Sequence, residues 1–145
     1  MILLGHDLEI CEWTMRALER RMPTTPYVAI GIVRRGVVMA GCVYENFRFP
    51  GIELSFATSS PHWATRQAIA HLLAYPFLQL GCTRITALVD VTNARSQKLA
   101  EGVGFIREGL VRQASPTGSD LILYGMLKSE CRWLEGLKDG QKLAA

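Results

Sequence analysis

The sequence lacks any apolar run close to the ~18 residues that a membrane-spanning helix needs. The short apolar stretch within residues 1–10 has no basic segment before it, which a secretory signal peptide would carry. Charge of one sign is also scarce: the formal net charge is +3 on 145 residues, and no nucleic-acid recognition motif occurs. We therefore expect a cytoplasmic protein that has neither a membrane nor a nucleic acid as its partner.

Cysteine is sparse, and its spacing excludes the usual metal and redox motifs. The four cysteines are Cys11, Cys42, Cys82 and Cys131. No two of them form a Cys-x-x-Cys pair, and none has the spacing to histidine that zinc sites use. The sequence predicts buried, reduced thiols and no metal.

The chain also lacks internal repeats and linkers, which indicates a single domain over residues 1–145 with a polar, flexible tail at 137–145. Hydrophobic residues make up 49% of the chain, enough to build a core without disulfides.

The first half of the sequence predicts one helix and three strands. Asp7 is the expected N-cap of a helix that Pro23 and Pro26 end, with an apolar face at Leu8, Cys11, Met15, Leu18 and Met22. Residues rich in valine and isoleucine on both sides of Arg34-Arg35-Gly36 predict a β-hairpin. The predicted strands are Tyr27 to Val33, Val37 to Tyr44 and Ile52 to Ala57.

The second half begins with the clearest helical pattern, an apolar stripe from Ile69 to Leu80 that ends at Gly81. Pro76 cannot donate to the carbonyl of Leu72, which predicts a kink or a loosened last turn. His71 is off the stripe and is expected to face solvent. The elements that follow are a strand Arg84 to Asp90, a helix Asn93 to Val103 capped by Thr92 or Asn93 and closed by Gly104, and strands Phe105 to Gln113 and Leu121 to Leu127.

The predicted order is therefore α-β-β-β-α-β-α-β-β. It indicates an α/β (α+β) domain with a mixed, mostly antiparallel sheet. The two strand–helix–strand crossovers in the second half predict parallel pairing there.

The segment Asn93 to Arg112, NARSQKLAEGVGFIREGLVR, resembles the last cofactor motif of the GNAT acyl-CoA N-acyltransferases. The matching residues are Asn93, Ser96, Gly104-Phe105 and Glu108-Gly109, and they are most similar to the branch that acetylates ribosomal-protein N-termini. The resemblance extends over about Ile52 to Leu134. It implies a GNAT-like fold with helices on both faces of the sheet.

The resemblance also implies a cofactor site. Acetyl-CoA would be the co-substrate, with no metal, and the acceptor would be a primary amine of a protein N-terminus or a small molecule that attacks the thioester directly. It leaves a homodimer open. The residues expected to hold the CoA are Leu54, Ser55, Phe56 and Ala57 for the pantetheine, Trp63, Ala64, Thr65, Arg66 and Gln67 for the pyrophosphate, and Asn93 and Ser96.

Catalytic residues follow less directly. Glu53 is a candidate general base, or else an exposed strand carboxylate. Many GNAT enzymes use a tyrosine acid where this chain has Ala100, so Ser96 or Tyr124 would have to protonate the CoA thiolate. Asp90 either forms a turn or binds the substrate. His62 either takes part in catalysis or is simply the residue at which the chain enters the helix.

The chain departs from the family pattern in the pyrophosphate loop, where SSPHWATRQA contains no glycine. The serine and threonine hydroxyls of this loop could compensate in part. This departure leaves an alternative function: a non-catalytic GNAT-fold module with lost or weakened CoA binding that acts as an interaction or structural protein. A different α/β enzyme is also open, and it would lack a cleft between the strands at Leu54 and Leu88.

Overall fold

A computed structural model describes residues 1–135, whose strands form one seven-stranded sheet in the order β1-β2-β3-β4-β5-β7-β6. The tail expected at 137–145 lies outside the described residues. The strands are β1 Ile2–Leu3, β2 Tyr27–Arg34, β3 Val37–Arg48, β4 Gly51–Thr58, β5 Arg84–Asp90, β6 Ile106–Val111 and β7 Leu121–Leu127. The helices are α1 Asp7–Ala17, α2 Arg66–Ala74 and α3 Ala94–Val103. The sequence pattern did not reveal β1, because two residues show no periodicity.

Helix α1 is shorter than its apolar pattern predicts. It ends at Ala17, and the chain then turns with Glu19 at φ 55°, while the Arg20 amide donates to the Met15 carbonyl. The prediction of a helix continuing to Met22 is therefore wrong. Asp7 is not the N-cap either: it is the first helical residue, and its carboxylate accepts from the amide of Ala29 on β2 at 3.0 Å. Docking against the sheet fixes this end of the helix.

The β2–β3 hairpin is confirmed. Arg35 and Gly36 form the two-residue turn with φ of 52° and 77°. Positive φ at both positions is the geometry whose twist matches antiparallel strands, and glycine adopts it without steric cost.

The loosened turn expected at Pro76 is also confirmed. After α2 the chain continues as a π-helical turn, Tyr75–Gln79, in which the Leu80 amide donates to the Tyr75 carbonyl at 3.0 Å. The Leu72 carbonyl, which Pro76 cannot reach with an N–H, accepts instead from the buried Tyr44 hydroxyl of β3 at 2.6 Å. A side chain from the sheet therefore replaces the missing helical donor.

One of the two predicted parallel pairings is present. Strands β4 and β5 pair in parallel, whereas β5 and β6 are not neighbours because β7 lies between them and pairs antiparallel with both. Strand β7 lies next to β5, in the place that the crossover rule predicted for β6. The sheet is thus mixed and mostly antiparallel.

Helices cover both faces of the sheet, as expected. On one face α1 packs through a small cluster that includes Ile10, Cys11 and Met15. On the other face α2 and α3 bury the main core, in which Phe77, Ile85 and Tyr124 have no exposed surface. All four cysteines are buried and unpaired. Among residues 1–135, no helix is long and apolar enough to cross a membrane.

Candidate functional site

The candidate site begins where two parallel strands stop pairing. Strands β4 and β5 are paired only at Gly51–Glu53 with Arg84–Thr86. Beyond that point Leu54 to Thr58 pair only with β3, and Ala87 to Asp90 only with β7. The backbone of β4 from Leu54 to Ala57 therefore has an open edge toward β5. This gap is the cleft between the strands at Leu54 and Leu88 that a GNAT-type cofactor site requires.

Both helices that follow these strands begin at the open end of the cleft. Helix α2 follows β4 and α3 follows β5, so the N-termini of both helices lie at the carboxyl ends of a parallel strand pair. Unpaired N–H groups and the helix dipole favour an anion at such a place. The topology thus brings together two groups that are far apart in the sequence, the loop around Arg66 and the turn at Asn93.

The loop before α2 holds itself through its own hydroxyl groups. Ser60 accepts from the His62 amide at 3.2 Å, and Thr65 caps the helix by accepting from the Ala68 amide at 3.1 Å. Ser59 donates to the Val38 carbonyl at 3.1 Å, so its proton is not free for a phosphate, whereas the Ser60 and Thr65 hydroxyls act only as acceptors in these bonds.

Two backbone donors of α2 remain available for an anion. Within residues 1–135, the amides of Arg66 and Gln67 have no acceptor, because the hydrogen bonds of the first turn start with Ala68 and Ile69. Both residues are exposed, as are Ala64 and Thr65. Trp63, in contrast, is buried and packs its ring on Phe56 with centroids 4.6 Å apart.

The start of α3 is organised by Asn93 and Asp90. The Asn93 side chain caps the helix by accepting from the Ser96 amide at 3.1 Å. Asp90 accepts from the Thr92 amide and from the Ser119 hydroxyl, and these bonds lower the pKa of its carboxyl. Asp90 is therefore a turn former. The Ser96 hydroxyl has no partner among residues 1–135.

A polar group lies on the opposite face of the sheet, beside α1. Glu53 is half-buried and accepts from the Asn46 amide nitrogen at 2.9 Å. Its neighbour across the strand pair is Glu45 of β3, which is 8% exposed. Arg20 lies 3.8 Å from the Glu45 carboxylate and donates to the Ser55 hydroxyl at 2.7 Å.

Glu45 is not among the site residues predicted from the sequence. Burial raises the pKa of its carboxyl, an effect that Arg20 opposes and Glu53 reinforces. The predicted strand ends at Tyr44, and the pairing of residues 45 and 53 depends on a register that the loop at 46–50 sets, so no local signal marks Glu45.

Tyr124 lies away from this group. It is fully buried on β7, and its hydroxyl donates to Glu101 of α3 at 2.7 Å. Burial, followed by this hydrogen bond, raises the pKa of Tyr124, which makes it a weaker acid than an ordinary tyrosine.

His71 is not where the sequence placed it. It is 8% exposed rather than solvent-facing, and its Nδ1 has no hydrogen-bond partner within residues 1–135. Burial lowers the pKa of its imidazole. His71 is buried because the β1–β2 edge of the sheet lies beneath α2, on the side of the helix that the apolar stripe does not cover.

Comparison with known proteins supports the fold. No family model matches the chain. A protein of T. thermophilus described as an acetyltransferase has 27% identity and a TM-score of 0.63 over 83% of this chain and 65% of its own. A GNAT-family acetyltransferase of Bacillus anthracis has 20% identity and a TM-score of 0.58 over 72% of this chain and 67% of its own.

The chain has the GNAT acetyltransferase fold.

Two further similarities concern proteins with more specific names. A GNAT-fold chimera built on the spermidine N-acetyltransferase of Vibrio cholerae has 19% identity and a TM-score of 0.61 over 74% of this chain and 69% of its own. The uncharacterized N-acetyltransferase p20 of Bacillus licheniformis is 31% identical over 84 residues, which are 54% of this chain and 47% of that protein. The chain thus spans about half the length of the curated relative it matches.

Proposed function

We propose that the protein is an acetyl-CoA-dependent N-acetyltransferase that acts on a primary amine. The observation that carries this proposal is the end of the β4–β5 pairing after Glu53 and Thr86, which leaves the backbone edge of Leu54 to Ala57 open. A strand edge of this kind can hydrogen-bond the amides of a pantetheine arm, as a further strand would. The similarity to acetyltransferases favours the same use.

The pyrophosphate of CoA would lie at the N-terminus of α2. Its donors there are the free amides of Arg66 and Gln67 and the Arg66 guanidinium, with the loop residues Trp63, Ala64 and Thr65 beside them. Asn93, through its amide N–H2, and Ser96 would contact the arm from the start of α3. The chain's own contribution is positioning and charge, because the thioester is already reactive.

Glu53 would receive the proton from the acceptor ammonium, directly or through a water molecule. The amine nitrogen then attacks the thioester carbon, the C–N bond forms, and the C–S bond breaks with release of the CoA thiolate. The nitrogen loses its second proton in this step, and that proton would pass to the thiolate through a hydroxyl group or water. A backbone N–H of the open β4 edge would stabilise the oxyanion. Ser96 is the better candidate to protonate the thiolate, because the Tyr124 proton is already donated to Glu101.

The acceptor group would be one primary amine, which enters the site as its ammonium. Glu45, Glu53 and Arg20 together carry one net negative charge, which the ammonium of a substrate would neutralise. Both a protein N-terminus, including that of a ribosomal protein, and a small amine such as spermidine have this group. The four unpaired cysteines fit a cytoplasmic location, and a homodimer remains an expectation.

Thermal denaturation with acetyl-CoA tests cofactor binding. At a ligand concentration 100-fold above Kd, binding stabilises the folded state by about 2.7 kcal/mol, and we expect a clear rise in Tm. The Arg66→Gln variant should weaken the effect, while Arg16→Gln on the exposed side of α1 should not change it. No shift at millimolar acetyl-CoA would instead favour the non-catalytic module, which the glycine-free loop keeps open.

Release of the CoA thiol in the presence of an amine tests catalysis. With spermidine and a short peptide as alternative acceptors, Glu53→Gln should lower kcat by about 10²-fold or more and leave the KM for acetyl-CoA unchanged. Glu45→Gln provides the comparison: a larger loss there than at Glu53 would transfer the base role to Glu45. Ser96→Ala and Tyr124→Phe separate the two candidate acids in the same assay.

A further inference from the structure

A cavity of about 210 Å³ lies between the β1–β2 edge of the sheet and the start of α2. Its walls come from β1, β2, β3, the loop before α2 and α2 itself, and no residue of β4, β5 or α3 contributes to them. We call it the His71 cavity. The acyl-transfer site proposed above lies between β4 and β5, so the two sites differ in their strands and meet at the loop before α2.

The ionisable side chains that line the cavity are all basic. Arg34, His62 and His71 line the cavity, and no aspartate or glutamate does. Arg34 forms no ion pair within residues 1–135. The apolar part of the wall includes Ile32, Met39 and Trp63. Such a lining suits a ligand with an anionic head and an apolar body.

His71 supplies the second indication of a ligand. Its side chain is buried at the cavity wall, and its Nδ1 has no protein partner within residues 1–135. A buried polar atom without a partner is uncommon in folded proteins and requires an explanation, of which a ligand atom is one. The N-terminal turn of α2, which adds its dipole, lies beside it through Thr65 and Gln67.

We propose that the His71 cavity binds a small organic anion, a carboxylate attached to an apolar group. The whole ligand would have about eight non-hydrogen atoms. The size follows from the volume, because an apolar cavity of about 150 Å³ holds benzene. Trp63, Thr65 and Gln67 belong both to this cavity and to the loop expected to hold the CoA pyrophosphate. Occupation of the cavity would therefore change the loop and the affinity for CoA.

Binding would also take up a proton. The charged and titratable groups around the cavity are His71 of α2, His62 of the loop, Arg34 of β2 and the amino group of Met1. Burial keeps the pKa of His71 below its ordinary value, so the ring is neutral at pH 7. A carboxylate next to it favours the imidazolium and raises that pKa, so affinity increases as the pH falls toward 6.

Titration calorimetry with benzoate tests the proposal, with benzylamine and benzyl alcohol as cationic and neutral probes of the same shape. We expect benzoate to bind at least tenfold more tightly than either control. Repeating the titration in buffers of different ionisation enthalpy should show proton uptake. The benzoate titrations need no acetyl-CoA, so they can fail or succeed independently of the transferase activity.

His71→Phe should lose at least tenfold in benzoate affinity while its Tm without ligand stays the same or rises, because the unpartnered nitrogen is removed. If this variant fails to fold, Arg34→Gln at the exposed end of β2 serves instead and should bind at least threefold more weakly. Arg35→Gln, in the adjoining turn but outside the cavity wall, should bind normally.

Three results would overturn the inference: equal binding of benzoate and benzylamine, normal affinity of both cavity variants, or strict competition between benzoate and acetyl-CoA. The last would show that the cavity is part of the cofactor site rather than a site of its own.

Discussion

The hydrogen bond between Tyr44 and Leu72 offers the sharpest test of how α2 is held on the sheet. Tyr44 is 1% exposed and Leu72 4% exposed, so water cannot replace a lost partner. The Tyr44→Phe change removes only the hydroxyl and keeps the ring, which packs edge-on against Tyr75 with centroids 4.9 Å apart. It leaves the Leu72 carbonyl without the donor that Pro76 cannot supply.

The expected cost is that of leaving a buried carbonyl unsatisfied, about 1–3 kcal/mol. For a chain of 145 residues, an unfolding entropy of about 2.1 cal/mol/K per residue converts this cost to a fall in Tm of about 3–10 °C. Urea denaturation at pH 7 measures the free energy directly. Tyr75→Phe is the matched control: its hydroxyl has no partner within residues 1–135, and its removal should change stability by less than about 0.5 kcal/mol.

A double-mutant cycle with Pro76→Ala isolates the interaction. Alanine at this position restores an N–H that can donate to the Leu72 carbonyl. Tyr44→Phe should therefore cost about 1 kcal/mol less in the Pro76→Ala background than in the wild type. An equal cost in both backgrounds would refute the argument that the tyrosine replaces the proline's missing donor.

Three other substitutions test separate parts of the fold. Gly41→Ala places a Cβ against the Thr14 hydroxyl of α1, so it should destabilise by about 1–3 kcal/mol in urea, whereas Gly36→Asn in the hairpin turn should cost less than that. Asn93→Ala removes the cap of α3 and should cost about 1 kcal/mol, and an unchanged midpoint would show that the cap is not needed. Asp90 has a lowered pKa, so its stabilisation is complete above the unfolded value of about 4 and disappears as the pH falls through the folded one. Asp90→Asn should therefore be less stable than wild type at pH 7 and approach it as the pH falls below about 4 in urea titrations, and a constant difference would contradict the assignment.

Much of the candidate site was predictable because its signals are local. The Asn93 cap and the Gly104 end of α3 depend on residues a few positions apart, and the structure has both, with Gly104 at φ 120°. The consequence of Pro76 was predictable for the same reason, since a proline removes one specific helical donor. Local rules also located the strand that forms the open edge of the cleft, Leu54 to Ala57.

Contacts between distant parts of the chain decided the rest. The pairing of Glu45 with Glu53 required the register of two strands, and the burial of His71 required the strand edge that packs beneath α2. The insertion of β7 between β5 and β6 contradicts the pairing that the crossover rule predicted, and the end of α1 at Ala17 contradicts the length that periodicity predicted.

The sequence by itself determined the order and type of the elements from α1 to β7, and the motif from Asn93 to Phe105 that resembles the GNAT enzymes. Helix periodicity, caps and turns are properties of a few neighbouring residues, which is why they can be read from the chain. The tertiary structure alone decided the strand order, the cleft where β4 and β5 separate, and the cavity at His71. Those depend on which surfaces, distant in sequence, exclude water together.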